Sequence, residues 1–565
     1  MCYSPDGETV VVNIKTDRDV DAVWLIWEDP FIHELHRKPD WYGRREKMTL
    51  SRELVYQVIY TAQVRPEYKR LMYCFEIEAD GETYALYENK LCPKAEMDAT
   101  SKQFFKYAWL NPSDVIAPPV WVGETVWYQI MPDRFHRHHD APRDKKFRKW
   151  GDFSNPRWND LYGGTLRGIT EKLDYLRDLG VSGIYMTPIF KSNTNHKYNT
   201  FDYTEIDPDF GTEDDLREMI REAHSRGIRV MLDAVFNHCG SEFAPCRDVR
   251  EKGRESRYFD WFFINSDDFA REDYSTADGR FYSFSFWAGM PKLNTNNPEV
   301  VKYFSDLCCY WAREWDIDGI RFDVGDEISH SFLRSLRTAV KAVKPDIYLL
   351  GEIWMDSLNW LSGDEYDAVM DYPFTGCVND YWKNPKLTAR DFMYAMNYCH
   401  SLYPEQVNSA MLNFLDTHDT ARAAESAENR DVLLQKLAIL MTMTGAPCLY
   451  YGTEIAMKGA REPYNRACMP WEEIERGDHD EFLRQIRELI SLRRTTPALR
   501  GNELSYRLDS GRPRLLSYTK GGDILVVINA DGSDYPVADK GEILFENGYD
   551  NGILRKDGVL IMNIR

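Results

Sequence analysis

Four short segments of the sequence each place a carboxylate at the end of an apolar run that is typical of a buried strand. These carboxylates are Asp233, Asp323, Glu352 and Asp419, in the segments 230–238, 319–323, 350–354 and 413–419. If the strands are parallel neighbours in a barrel, their carboxyl ends meet at one pocket, where the active site of such a fold is built. Removing ionisable groups from water is unfavourable, so a cluster of them favours a functional role over a packing role.

Two of these carboxylates have the residue types that glycosidic bond cleavage needs. That reaction uses one carboxylate as nucleophile and a second, protonated carboxyl group as acid. We assign the nucleophile to Asp323, because Arg321 lies two residues earlier on the same face of the strand and would hold it ionised. Glu352 has no cationic neighbour in the sequence, and nearby carboxylates would raise its pKa as an acid catalyst requires. Adjacent strand ends are also close enough for the roughly 5–5.5 Å carboxylate separation of a retaining mechanism.

Strands and helical segments alternate from residue 125 to about residue 500, which predicts a (β/α)8 TIM barrel. The strand candidates are 126–130, 183–186, 229–232, 319–322, 347–351, 368–370, 411–415 and 448–450. A helix is predicted over 214–226, with Thr212 as its N-cap and Gly227 at its end, and another over 327–343, before Pro345. The interval between the third and fourth strands is too long and too aromatic for one helix, so we expect an inserted loop domain at about 236–298.

Two β-rich regions flank the predicted barrel. Residues 1–118 alternate short apolar strands with turns, including the hairpin signal Asp80-Gly81, which predicts an N-terminal β-sandwich. Short strands return after residue 500, which predicts a C-terminal β-sandwich. The expected multidomain α/β chain therefore has an N-terminal domain at 1–118, a catalytic barrel at 119–500 and a C-terminal β domain at 501–565.

The composition argues against several other classes of protein. A length of 565 residues, with 43% hydrophobic and 28% charged residues, is typical of a large globular chain. A net charge of −21 without a basic tract argues against a nucleic-acid partner, and no apolar run approaches the roughly 18–20 residues that span a membrane. The 11 cysteines contain no CxxC pair, and residues 1–15 lack a secretory signal, so we expect reduced thiols and a cytoplasmic location.

The ordered motifs make the chain similar to the α-amylase family, glycoside hydrolase family 13. They are Asp233-Ala-Val-Phe-Asn-His238, Gly319-Ile-Arg-Phe-Asp323, Gly351-Glu-Ile-Trp354 and Phe414-Leu-Asp-Thr-His-Asp419. Any one motif is weak, whereas four in order on four strand ends are specific. Met290-Pro-Lys-Leu-Asn294, and an N-terminal region that resembles a starch-binding domain, narrow the resemblance to the cyclomaltodextrinase, neopullulanase and maltogenic amylase group.

The resemblance implies a retaining enzyme that cleaves α-1,4-glucosidic bonds in cyclodextrins, pullulan and maltooligosaccharides, with transglycosylation as a further expectation. It implies that Asp323 is the nucleophile, Glu352 the acid/base and Asp419 a third carboxylate that binds sugar hydroxyls. It also implies a set of substrate-binding residues, namely His196, Tyr198, Asp233, His238, Arg321, Glu327, Trp354 and His418. In this group the N-terminal domain of one subunit commonly closes the partner's active site, so the resemblance implies a homodimer acting on small α-glucan oligosaccharides.

At some positions the sequence departs from the family pattern, and these positions concern the preference for sugar acceptors and the binding of a metal ion. Members of the group often carry Asn at the position of Asp326 and His at that of Met355, so the resemblance does not fix acceptor preference. Calcium-binding relatives carry an Asn- and Asp-rich loop where this chain has the histidine-rich run 136–143, and imidazole is a poor substitute for the oxygen ligands of calcium. We therefore predict no metal and no other cofactor, interpret the run as a solvated loop and assign Asn237, a calcium ligand in some amylases, no metal role.

Three alternative functions stay open at this point. A non-catalytic amylase-fold protein that only binds sugar would be expected to lack at least one of the three carboxylates, all of which are present. An exo-acting α-glucosidase or a glucan-modifying transferase would share the barrel motifs, although the N-terminal domain and the motif at 290–294 argue against it. A starch-binding module with a vestigial barrel would bind glucan without turnover.

Overall fold

The computed structural model describes residues 1–99, 102–141, 146–271 and 273–565. They form two compact units, one of Met1–Ala117 with Ala389–Val407 and one of Pro118–Thr388 with Asn408–Arg565. Positions 142 and 143 of the histidine-rich run lie outside the described residues. Among the helices of the described ranges, none combines the length and the apolar character that crossing a membrane requires.

The first unit contains a β-sandwich of two antiparallel sheets, as predicted. One sheet has the strand order Cys2–Tyr3, Val10–Asp17, Gln57–Val64 and Thr49–Glu53. The other has the order Arg44–Lys47, Val20–Glu28, Leu71–Ala79, Glu82–Tyr87 and Lys90–Pro93, with Phe105–Tyr107 paired to Leu71–Ala79. Alternate residues such as Val10 and Val12 point into one apolar core, as the two-residue period of a strand requires. The α-helices Ile32–Leu35 and Ala389–Ser401 lie within this unit, and the helix Glu405–Asn408 begins in it.

The second unit contains a parallel eight-stranded sheet that closes into the predicted barrel. In sheet order the strands are Ala368–Val369, Tyr348–Gly351, Gly319–Phe322, Arg229–Ala234, Gly183–Met186, Trp127–Ile130, Ala446–Tyr450 and Leu412–Phe414. A parallel bridge between Met370 and Leu412 joins the first strand of this order to the last. Each predicted strand corresponds to an observed strand, with ends that differ by no more than two residues.

The helices around the barrel follow local capping signals. The helix predicted over 214–226 is Glu213–Ser225, and Thr212 begins it in a capping box with Asp215. The helix predicted from residue 327 begins only at His330, because the Ser329 side chain caps it and residues 325–327 form a 3₁₀ turn. The other helices of this unit include Pro132–Phe135, Leu166–Glu171, Leu173–Leu179, Tyr372–Lys383, Arg430–Thr442, Trp471–Glu475, Asp480–Thr495 and Pro497–Arg500.

The interval between the third and fourth barrel strands is an irregular inserted domain, as expected. Its described residues contain the α-helix Ala244–Lys252 and the 3₁₀ turns Gly253–Glu255, Phe259–Trp261, Asp267–Ala270 and Phe284–Phe286. Isolated antiparallel bridges join Phe262 to Leu293 and His238 to Lys292. The second bridge places the motif at 290–294 beside the end of the third strand. The helix Pro298–Tyr310 then leads to the fourth strand.

The C-terminal part of the chain is a sheet-rich domain. Its strands are Leu504–Tyr506, Leu515–Lys520, Ile524–Asn529, Tyr535–Pro536, Glu542–Asp550 and Ile553–Asn563. The last strand pairs with three others, namely Ile524–Asn529, Tyr535–Pro536 and Glu542–Asp550, so it has a central place in the sheet. Leu525, Val527 and Leu560 lie in the apolar core beneath it.

Candidate active site

The fourth barrel strand provides the charge centre of the candidate site. Arg321 and Asp323 are spaced two residues apart, so their side chains point to the same side of the strand. The Arg321 side chain is fully buried, and its Nη1 donates to Asp233 Oδ1 at 2.9 Å and to Asp323 Oδ1 at 2.8 Å. Its Nη2 lies 2.8 Å from Glu352 Oε2. One guanidinium therefore contacts three carboxylates from the ends of three neighbouring strands.

Glu352 has no cationic neighbour in the sequence, but the fold supplies one. The parallel register pairs the strand of Arg321 with the strand that leads to Glu352. Glu352 Oε2 also accepts a hydrogen bond from Val324 N at 2.9 Å. Its Oε1 accepts from Trp354 Nε1 at 3.2 Å and from Tyr372 Oη at 3.3 Å. Both oxygens of this carboxyl group are therefore oriented by fixed donors.

Burial opposes the negative charge of this cluster. Burial raises the pKa of Asp233 to about 6, although Arg321 and the Tyr185 hydroxyl act in the opposite direction. Burial also raises the pKa of Asp323 well above its ordinary value; Arg321 opposes this rise, whereas the negative charge of Glu352 adds to it. The expected ion pair between Arg321 and Asp323 is present and lowers the pKa of Asp323 as predicted, but the effect of burial on this pKa is larger.

His418, in the loop after the strand Leu412–Phe414, belongs to a chain of hydrogen bonds that ends at Asp233. Gln129 Nε2 donates to His418 Nδ1 at 2.9 Å, which places the imidazole proton on Nε2. His418 Nε2 lies 2.7 Å from Tyr198 Oη, and the Tyr198 hydroxyl donates to Asp233 Oδ2 at 2.9 Å. Burial lowers the pKa of His418 well below its ordinary value, so the ring is a neutral donor.

Asp419 is the most accessible of the three predicted catalytic carboxylates. About 30% of its side chain is exposed, against 9% for Asp323 and 7% for Glu352. Arg466 Nη2 donates to Asp419 Oδ1 at 3.2 Å, and His418 Nε2 lies 3.1 Å from Oδ2. The geometry suits a carboxylate that accepts hydrogen bonds from a ligand, because it is oriented from the protein side and open on the other.

Two histidines and a tyrosine line the walls beside this cluster. The ring of Tyr198 stacks with His418, at 5.3 Å between centroids, and with His196, at 5.8 Å. His238 stacks on Phe284 at 4.8 Å, and burial lowers its pKa to about 3. In the part of the chain that the structure describes, the buried His238 Nε2 has no hydrogen-bond partner. A neutral imidazole with a free nitrogen is suited to a sugar hydroxyl.

Trp354 and Glu327 lie on loops that follow the fifth and fourth strands. The Trp354 ring stacks on Tyr372 at 4.0 Å and is 53% exposed. Glu327 is exposed and accepts from Lys292 Nζ at 2.9 Å. Contacts connect the other predicted site residues to one another, whereas Glu327 and His238 contact a second group around Lys292 and Asn237.

The oxygen atoms around Asn237 do not fit a calcium ion in this chain. Lys292 Nζ contacts Asn237 Oδ1 and lies 3.2 Å from the carbonyl oxygen of Glu327. The same ammonium bonds the Glu327 carboxylate, so the oxygens that could face a metal ion already face a fixed positive charge. A calcium ion would have to displace this side chain and accept repulsion from it.

Sequence reasoning missed five side chains that hold the site, namely Gln129, Tyr185, Lys292, Tyr372 and Arg466. Gln129 had a readable signal, because it is an amide within the otherwise apolar strand Trp127–Ile130. Lys292 had one as well, because it is the charged residue of the motif at 290–294. The other three stand in segments whose residue types alone do not distinguish them from packing positions.

The chain matches the family model described as "Alpha amylase, catalytic domain" over residues 129–488 and that described as "Alpha amylase, N-terminal ig-like domain" over residues 1–111. It is 41% identical to a cyclomaltodextrinase of Geobacillus thermopakistaniensis, over 94% of this chain and 89% of that relative. It is 39% identical to an intracellular maltogenic amylase of Bacillus subtilis, over 93% of this chain and 88% of that relative. A solved cyclomaltodextrinase structure is similar with a TM-score of 0.89 and 33% identity, covering 100% of this chain and 98% of that one.

Proposed function

Because the chain belongs to the α-amylase family, we propose that its site hydrolyses α-1,4-glucosidic bonds with retention of anomeric configuration. The proposed substrates are cyclodextrins, pullulan and maltooligosaccharides, since relatives that match over most of the chain are named cyclomaltodextrinase and maltogenic amylase. The observation that carries the proposal is the contact of Arg321 with Asp233, Asp323 and Glu352, each within 2.9 Å.

We assign nucleophilic attack to Asp323 and proton transfer to Glu352. In the first step an Asp323 oxygen bonds the anomeric carbon while the Glu352 proton moves to the departing glycosidic oxygen, which leaves a glycosyl ester on Asp323. In the second step Glu352 removes a proton from a water molecule that attacks the anomeric carbon, and the Asp323 carboxylate leaves. The two carboxylates contact the two terminal nitrogens of one guanidinium, which is compatible with the roughly 5–5.5 Å separation of retaining enzymes.

The guanidinium that the carboxylates share explains electrostatically why Glu352 first donates a proton and then accepts one. Three carboxylates around one guanidinium carry more negative charge than the cation offsets, so a proton held within the cluster reduces their mutual repulsion. Ester formation removes the charge of Asp323, so Arg321 then stabilises the negative charge that Glu352 gains on losing its proton. Glu352 is thereby prepared to act as base in the second step.

We assign the remaining residues to binding. The oriented oxygens of Asp419 and the imidazoles of His238 and His418 would hydrogen-bond sugar hydroxyls, and the Tyr198 ring would stack on the sugar face. Asp233 and Arg321 order the charge centre, and His196 supports Tyr198 by accepting from its backbone N–H at 3.1 Å. Trp354 and Glu327 would contact the sugar on the leaving-group side, where transfer to acceptors is decided.

The proposal includes an assembly and a location. A homodimer through the N-terminal domain rests on the resemblance to the cyclomaltodextrinase group, and sedimentation velocity tests it. A cytoplasmic location is supported by the similarity to a maltogenic amylase that is named as intracellular. Cell fractionation with an antibody against the chain tests it.

The experiment compares products of wild type, Asp323→Asn and a surface control, Asp364→Asn, on β-cyclodextrin, pullulan and soluble starch. Asp364 is half exposed and pairs with Arg334 at 2.7 Å, so its loss tests only the general effect of removing a carboxylate. We expect α-anomeric products by early NMR from wild type and control, and none from Asp323→Asn. Glucan pull-down without turnover by wild type would favour a binding protein, and β-anomeric products would exclude retention. Preference for maltose over cyclodextrin would favour an exo-acting α-glucosidase.

A further inference from the structure

We propose that the loop after the first barrel strand binds a divalent transition metal, with Zn²⁺ as its probe, together with Glu171 at the end of the helix Leu166–Glu171. The sequence favours a solvated loop here, because histidines within one short run have no recognisable ligand spacing. The structure adds a ligand from a different element. This inference is independent of the proposed function.

The Glu171 carboxylate lies among three imidazoles. Its Oε1 is 3.4 Å from His138 Nε2 and 3.2 Å from His139 Nδ1, and its Oε2 is 3.2 Å from His136 Nε2. Zinc holds nitrogen and oxygen ligands at about 2.0–2.2 Å, so neighbouring ligand atoms of a tetrahedral site lie about 3.3–3.6 Å apart. The carboxylate-to-imidazole distances are therefore close to those between the ligands of one zinc ion.

The donor atoms select the class of metal. Ligand atoms of His138, His139 and Asp140 lie within 4.8 Å of one another, in addition to the contacts with Glu171. A set of imidazoles with carboxylates suits Zn²⁺, Ni²⁺ or Cu²⁺, whereas Ca²⁺ requires six to eight oxygen ligands. The nearby Lys172 pairs with Glu475 at 3.2 Å, so its positive charge is offset.

The loop backbone is held against the helix that supplies Glu171. Thr165 caps that helix, and its N–H donates to the carbonyl oxygen of His136 at 3.0 Å. Gly168 permits the approach, because a Cβ at this position would lie 2.1 Å from the same carbonyl oxygen. The backbone at His136 is therefore held beside the helix that supplies Glu171.

One hydrogen bond must change when the metal binds. Asp140 N donates to His138 Nδ1 at 3.1 Å, which places the proton of the neutral ring on Nε2. Coordination through Nε2 requires that proton on Nδ1, so the bond from Asp140 N is released. The assigned ligands are then His136, His138, His139 and Glu171.

The test is calorimetric titration of the full chain, produced without a histidine tag and stripped with EDTA, using Zn²⁺ and, separately, Ca²⁺. We expect one Zn²⁺ per chain, with no competition from millimolar Ca²⁺. Glu171→Gln and the double variant His136→Asn/His139→Asn should each weaken Zn²⁺ binding about tenfold or more. His479→Asn is the matched control, because His479 faces a single carboxylate, Glu473 at 3.2 Å.

Thermal unfolding with and without Zn²⁺ provides the second measurement. Zn²⁺ should raise the Tm of wild type and of His479→Asn, and at the same Zn²⁺ concentration should raise the Tm of Glu171→Gln less. Circular dichroism establishes that each variant is folded. Absence of Zn²⁺ binding by wild type, equal binding by wild type and Glu171→Gln, or an equal loss in the control would each overturn the proposal.

Discussion

The balance between negative and positive side chains is reversed between the two ends of the fourth barrel strand, Gly319–Phe322. At its beginning one carboxylate, Asp318, meets two cations and an imidazole. His224 Nε2 lies 2.8 Å from it, Arg229 Nη1 3.1 Å and Lys344 Nζ 3.4 Å. At its end one cation, Arg321, meets three carboxylates, namely Asp233, Asp323 and Glu352.

The opposite proportions give opposite pKa shifts. Burial by itself would raise the pKa of Asp318, but His224 and Lys344 outweigh it, and the pKa is lowered. At the other end burial prevails, and the pKa of Asp233 rises to about 6. A surplus of cations makes the ionised Asp318 stabilising, whereas a surplus of carboxylates is unfavourable and is retained where proton transfer is useful. This division agrees with the barrel rule that catalysis belongs to the carboxyl ends of the strands.

Among the variants that distinguish the two ends of this strand, Glu352→Gln is expected to have the largest effect. Loss of the acid should lower kcat on β-cyclodextrin about 10³-fold or more. The free energy of unfolding should change by less than about 1 kcal/mol, because the neutral amide has the shape of the protonated carboxyl group that it replaces. Steady-state kinetics and urea unfolding measure the two quantities. Full activity, or a loss of stability without a loss of kcat, would show that Glu352 has a structural role and no catalytic one.

Asp318→Asn should show the reverse pattern. The free energy of unfolding should fall by about 2 kcal/mol, because the partly exposed His224, Arg229 and Lys344 lose the buried carboxylate that they share. The kcat per folded molecule should change less than about twofold, since Asp318 lies at the other end of the barrel. Asp316→Asn is the control, because Asp316 bonds the same Lys344 at 2.8 Å but is 66% exposed, and its loss should cost at most about 1 kcal/mol. Equal losses in both variants would contradict the comparison.

The smallest effect concerns the pH dependence of stability. The folded pKa of Asp233 is raised, to about 6, above an unfolded value of about 3.9, so ionisation favours the unfolded chain. Its contribution to stability therefore falls as pH rises from about 4 to about 6. Asp318 has the opposite sign, since its folded pKa is lowered and its stabilisation is lost only as pH falls through that folded value.

Urea unfolding of wild type and Asp233→Asn between pH 4 and pH 7 measures this contribution. The stability of wild type relative to the variant should decrease across the window that ends near pH 6. A difference that stays constant with pH would show that Asp233 has an ordinary pKa in the folded chain.

The sequence predicts the strands better than the contacts between their ends. The strand Gly319–Phe322 is found at its predicted residues, because an apolar run with polar residues on both sides marks its limits. The contact of Arg321 with Glu352 was missed, because only the register of two parallel strands brings them together. Gln129 could have been found as a polar residue in an apolar strand. Its partner, His418 Nδ1, depends on ring orientation, which residue type does not specify.

Local capping explains the error in one helix boundary. The pattern from residue 327 suits a helix, but Val324 adopts a left-handed conformation and the following turn ends before Ser329. A side-chain cap at Ser329 satisfies the first helical amides, so the helix begins at His330. The choice between two adjacent start signals depends on how the chain leaves Asp323, which is tertiary information.

The closure of the barrel has a consequence for local opening of the fold. Within the described part of the chain, the sixth strand, Ala368–Val369, is joined to the seventh by the bridge of Met370 to Leu412 and by a hydrogen bond from Asp371 N to the Leu412 carbonyl at 2.9 Å. Amide hydrogens at this seam should exchange with solvent deuterium sooner than those of the strand Gly319–Phe322, which is paired on both sides. The chain leads from this seam to Tyr372 on one side and Asp419 on the other, so local opening there would widen the mouth of the site without unfolding its charge centre.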